Sequence, residues 1–172
     1  MRRLLAGGLA CLAMLAACSS GPTATQWATS VCGALKPWRT AITDLNQQAT
    51  AQMATATTSA QTKQNLITLV SGARQASETA RAAIAAAGVP DVDGGAEAAH
   101  RFEVSLAGTR DAYAKAEADL AALSTTDEKA FYDGVAAVMT RLNEQYGSSG
   151  IDVAGLDSVE LRHAFDGIPE CR

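Results

Sequence analysis

This sequence predicts an all-α fold: an antiparallel up-down four-helix bundle with a short C-terminal helix. Three observations carry that. Apolar residues recur at spacings of three and four in four long stretches, the period of a helix with one buried face. Aromatic residues make up only 5% while alanine is abundant, which suits closely packed helices better than a sheet. Short clusters of turn residues separate the stretches, so neighbouring helices should run antiparallel.

The first stretch runs Trp27, Val31, Leu35, Trp38, Ile42, Leu45, Ala49, Met53. Its phase holds for about seven turns. Pro37 lies inside it, removes one backbone hydrogen bond and crowds the carbonyl of Gly33, so a kink is expected. Because the stripe keeps phase across Pro37, one bent helix is predicted rather than two. Residues Ala54 to Ser59 read as a turn, and Thr58 with Gln61 reads as a capping box for the second helix.

That helix carries Leu66, Leu69, Val70, Ala73, Ser77, Ala80, Ile84 and Ala87. Its middle is small, which lets a neighbour come close. Gly88 and Pro90 end it. After the turn Asp91 to Gly95, the third helix shows Phe102, Leu106, Thr109, Tyr113, Ala116, Leu120 and Leu123. Thr125 with Glu128 reads as the next capping box. Phe131, Val135, Val138, Met139, Leu142 and Tyr146 line the fourth helix, and Gly147 to Gly150 stop it. In the tail, Asp157 with Glu160 reads as the cap of a short helix whose apolar side is Leu161 and Phe165, ended by Gly167 and Pro169.

The N-terminus has a different character. Met1-Arg2-Arg3 is a short positive segment, Leu4 to Leu15 an apolar run broken only by Gly7 and Gly8, and small residues then precede Cys18. This is the order of an export signal. The run is about a dozen residues, and a membrane-spanning helix needs about 20. The segment Leu15-Ala16-Ala17-Cys18 resembles the lipobox of bacterial lipoproteins. The resemblance implies diacylglyceryl transfer to the Cys18 thiol, often with a further acyl group such as palmitate on the new amine, and cleavage after Ala17. Residues 1–17 are then a signal peptide. Residues 18–25 are a lipidated cysteine with a flexible tether, Ser19 to Thr25, and residues 26–172 are the helical domain. Two acyl chains suffice for stable anchoring. The chain as a whole resembles, more loosely, the small Ala-rich lipoproteins of high-GC actinobacteria, through Trp27 to Cys32 and Pro169 to Cys171. That likeness implies a disulfide-closed helical ectodomain and brings no functional residues.

Cysteine usage follows from the anchor. Cys11 leaves with the signal and Cys18 takes the lipid, so Cys32 and Cys171 remain in an oxidising compartment. One intramolecular disulfide is predicted; two unpaired or redox-active thiols are the alternative, without a Cys-x-x-Cys to favour them. Removing the 17 signal residues leaves 155 of 172, enough for one domain with a real core, and shifts the formal charge from −4 to −6. With no basic cluster, nucleic acid is not expected as a partner.

Two Glu-x-x-His motifs, Glu97 to His100 and Glu160 to His163, are of the kind that hold metals in di-iron bundles. Helical phase argues against it. With Phe102 at zero, His100 lies about 160° away and Glu97 about 140° away; with Leu161 at zero, His163 lies at about 160°. Both motifs point outward, so no metal or other cofactor is expected. Trp27 and Trp38 could stack a ligand, but they share the apolar stripe and read as core, as do Tyr113 and Tyr146. Glu117-Asp119 and Asp127-Glu128 could form a catalytic carboxylate pair, but read more simply as solvated faces and a helix N-terminus. No nucleophile–base set and no phosphate loop is legible. The resulting expectation is a lipid-anchored extracytoplasmic binding or interaction module with a protein partner in the cell envelope. A carrier of a small apolar or lipidic ligand between the helices is the alternative, and an enzyme comes third.

Overall fold

The computed structural model describes residues 21–148, 153 and 155–171. Residues 1–20, on which the expected signal segment and Cys18 fall, lie outside the described residues. Four long helices follow one another: α1 (Ala24–Thr55), α2 (Ser59–Ala86), α3 (Gly95–Ala122) and α4 (Glu128–Ser148). A short α5 (Val159–Asp166) and a 3₁₀ turn at Pro169–Cys171 complete the chain. There is no strand among the described residues. The fold is therefore an all-helical bundle with a short C-terminal helix, and Cys32 and Cys171 are joined by a disulfide with Cα atoms 5.1 Å apart.

Helix α1 is continuous through Pro37. It begins earlier than its apolar stripe. Thr23 is its N-cap in a complete capping box with Gln26, so Ala24 and Thr25, read from the sequence as tether, are helical, and Ala24 is buried. Thr58 caps α2 through the Gln61 amide, but the Gln61 side chain turns back to Thr57 rather than to Thr58. Gly88, at φ +74°, supplies the left-handed residue that stops α2.

Two expected caps are displaced. Asp127, not Thr125, accepts the Ala130 amide at the start of α4, because the helix begins at Glu128 and Thr125 lies two residues before the cap position; Ser124 and Thr126 bond to each other in the preceding turn. Ser158, not Asp157, accepts the Leu161 amide at the start of α5. Gly147 and Ser148 are still helical, and residues 149 and 150 of the expected stop lie outside the described residues.

The core has two parts. In one, the first half of α1 packs with the end of α2, the start of α3, and Leu161, Phe165 and Ile168 of the tail. In the other, Leu66 and Val70 of α2 meet Ala112, Ala116 and Leu120 of α3 and Val138 and Leu142 of α4. The tail thus packs on α1 at one end of the bundle, while α4 packs on α3 at the other. Small residues set the α2–α3 spacing: Ala73, Ser77, Ala80, Ala112 and Ala116 are all buried. Ser77 and Thr109, buried hydroxyls, bond to the carbonyls of Ala73 and Ser105 one turn back. That removes the cost of an unpaired buried polar group.

Candidate functional site

An apolar concavity lies between α1 and α2. It is a groove of about 610 Å³ lined by Gly33, Ala34, Pro37, Trp38, Ala41 and Leu45 on one side, and Gly72, Ala76, Thr79, Ala80 and Ala83 on the other, with Asp44 and Gln75 at its edge. Its composition explains it. Glycine and alanine on facing turns leave the space that larger side chains would fill, and Pro37 has no amide hydrogen to hydrogen-bond there. Gly33 to Leu45 spans about 18 Å of helix. Trp38 forms one wall. It is half-buried, and its Nε1 donates to Ser77 Oγ at 3.1 Å, which fixes the indole against α2. Trp38 therefore differs from the core residue read from its stripe. It is anchored at its polar edge and lines open space. Trp27 is fully buried, as expected, and its Nε1 donates to the Gly88 carbonyl at 2.9 Å.

A smaller cleft of about 270 Å³ opens where all four long helices meet, between Ile42 and Asn46 of α1, Leu69 and Val70 of α2, Tyr113 of α3, and Met139 and Asn143 of α4. Tyr146 also borders it. Its ring lies 6.2 Å from that of Tyr113, yet it is exposed rather than core, because it sits in the last turns of α4 beyond the Val138 and Leu142 packing. Burial, with Tyr146 adding to it, pushes the Tyr113 hydroxyl up to about 12, so it stays protonated in water.

The charged candidates are distributed as ion pairs. Glu117 binds Arg74 across the α2–α3 seam at 2.9 Å. Asp119 is shared by Lys115 and Arg141, each at 3.2 Å, and the Lys115 hydrogen bond chiefly holds its carboxyl below the usual range. Asp127 is occupied as a helix cap and Glu128 is exposed in the first turn. Sequence reasoning passed over Glu78, which accepts from both Arg81 and Arg110; those hydrogen bonds, Arg81 first, hold its carboxyl down at about 2. The structure does not bring the two Glu-x-x-His motifs together in the core. Glu97, His100, Glu160 and His163 are all exposed, as their phase requires. No group of three metal-ligating side chains exists among the described residues. No described helix is long and apolar enough to cross a membrane.

No family model, no curated protein and no solved structure matches this chain.

Proposed function

We propose that the protein is a lipid-anchored, extracytoplasmic binding module of the cell envelope that receives an apolar part of a protein partner in the groove between α1 and α2. The groove is the observation that carries the binding reading. Its volume lies within the range of about 300–1,000 Å³ that small-molecule sites occupy, so it has room for the apolar side chains of a docked segment. Its lining is nearly all apolar, and an indole fixed by Ser77 gives it a rigid wall. A second reading, a carrier of a small apolar or lipidic ligand, is favoured by the groove's length and its small apolar lining, which suit an extended chain.

A photo-crosslinking amino acid at Ala76, in the intact envelope, tests both. A discrete protein adduct is expected. A lipid-sized mass increase would instead favour the carrier, and no adduct above that of an exposed control at Thr57 would refute the groove as a site.

The anchor rests on the positive segment, short apolar run and lipobox-like Leu15 to Cys18. Cys18→Ser is expected to abolish labelling with a palmitate analogue and to release the domain from the membrane fraction. Continued labelling and membrane retention of that variant would remove the anchor from the proposal.

A further inference from the structure

The start of the described chain is fixed to one end of the bundle. The Pro22 carbonyl accepts the Asp91 amide at 2.9 Å. Gly21 lies so close to the α2–α3 connection that a Cβ on it would collide with the Val89 carbonyl. Thr23 then caps α1. Only Ser19 and Ser20 separate Cys18 from Gly21, three Cα steps that reach about 11 Å at most. Helix α1, with 32 residues, is about 48 Å long. A lipid on Cys18 therefore acts on one defined end of an elongated domain.

That end carries two of the large exposed apolar side chains. Val89 is 52% exposed in the α2–α3 connection, and Val159 is 57% exposed at the first turn of α5. They belong to the same end because Gly94 abuts Ser158: a Cβ built on Gly94 would lie 3.8 Å from the Ser158 Cβ. Resting on the reading of Cys18 as the lipidated residue, we infer that the short link holds this end against the membrane, with Val89 and Val159 facing the lipid headgroup layer.

The rim around them is acidic, with Asp91, Asp93, Asp157 and Glu160 all exposed. Those carboxylates oppose deep insertion and are repelled by anionic lipids, within a screening length of about 8 Å in physiological salt. The link, not surface charge, imposes the contact. The α1–α2 turn at Thr57 and the α3–α4 turn at Thr126 project away from the membrane.

The test uses the full chain, acylated in a host with lipoprotein-processing enzymes and reconstituted in phosphatidylcholine vesicles. A click-reactive amino acid at position 89, 159 or 57 carries an environment-sensitive dye. Spin-labelled lipid should quench the dye several-fold more at 89 and 159 than at 57, and aqueous iodide should show the reverse order. A Gly/Ser segment of about ten residues between Ser20 and Gly21, with a mean span of about 17 Å, should bring the three positions together. Equal quenching in vesicle-bound protein, or a pattern indifferent to the inserted segment, overturns the orientation while leaving the anchor intact. Failure of the native chain to bind vesicles overturns the anchor, and the orientation with it.

Discussion

Reducing the Cys32–Cys171 bridge is expected to lower the melting temperature of residues 19–172 by about 5–20 °C, while helical content in the cold survives. The bridge joins residues 139 apart in sequence, so it removes a large amount of freedom from the unfolded chain. The chain-entropy model sets an upper bound of about 5 kcal/mol, and native bridges in small secreted domains contribute about 2–5 kcal/mol. For a domain of this size, each kcal/mol moves the melting temperature by about 2–4 °C. The structure also shows why reduction should not unfold the bundle outright. Leu161, Phe165 and Ile168 remain buried against α1 and α3, and Arg39 on α1 donates to the Glu170 carbonyl at 3.0 Å. The tail is held by packing as well as by the covalent link. Thiol titration in denaturant, with melts recorded with and without reductant, checks this. Two free thiols in the oxidised sample, or superimposable melts, would show that the tail is not pinned.

The helices were legible because each has one long apolar face, and a stripe such as Phe102, Leu106, Thr109 identifies its buried side whatever it packs against. All three are buried. The caps were less legible. Between Leu123 and Glu128 four consecutive residues can each cap a helix, and the box pattern selects Thr125. Which one caps depends on where the backbone first turns helical. The helix begins at Glu128, and Asp127, the residue just before it, accepts the Ala130 amide, while Ser124 and Thr126 bond to each other in the turn. Asp157 and Ser158 pose the same ambiguity with neighbouring candidates.

The groove was not legible at all. A stripe of alanine and glycine fits helices in close contact and helices held apart equally well. Here Ala73 of α2 and Ala112 of α3 are buried, yet Ala76 and Ala80 of α2 line open space toward α1, while at Gly72 the seam closes again, since a Cβ there would lie 2.7 Å from the Leu45 side chain. The difference lies in the neighbours. Trp38 reaches from α1 to the Ser77 hydroxyl and forms one wall of that open space. The seating of Gly21 and Pro22 on the α2–α3 connection was also invisible, since composition alone gave Ser19 to Thr25 the character of a tether. A carbonyl–amide bond to Asp91 leaves no trace in side-chain pattern.

Trp27→Ala is expected to be the most damaging single substitution in the domain, costing about 3–5 kcal/mol, the range for removing a large buried aromatic. Trp27 is fully buried and joins three elements at once. Its ring meets Phe102 of α3 edge-on at 5.4 Å and Phe165 of α5 edge-on at 5.9 Å, and those two rings stack on each other at 5.7 Å. Such arrangements add about 0.5–1.5 kcal/mol per pair beyond the area they bury. Its Nε1 also satisfies the carbonyl of Gly88, the residue that terminates α2. Truncation would leave a cavity between α1, α3 and α5, remove two of the three ring contacts and take the donor from the Gly88 carbonyl. Trp27→Phe divides the two contributions. It keeps most of the apolar contact but loses the donor to the carbonyl of Gly88, an exposed residue that water can reach, so it should cost about 0.5–1.5 kcal/mol, the net worth of a typical hydrogen bond. Urea unfolding of both variants, followed by far-ultraviolet circular dichroism, measures the difference. A Trp27→Ala cost no larger than that of Trp27→Phe would mean that the hydrogen bond to Gly88, rather than the aromatic cluster, joins α1, α3 and α5 at this end of the bundle.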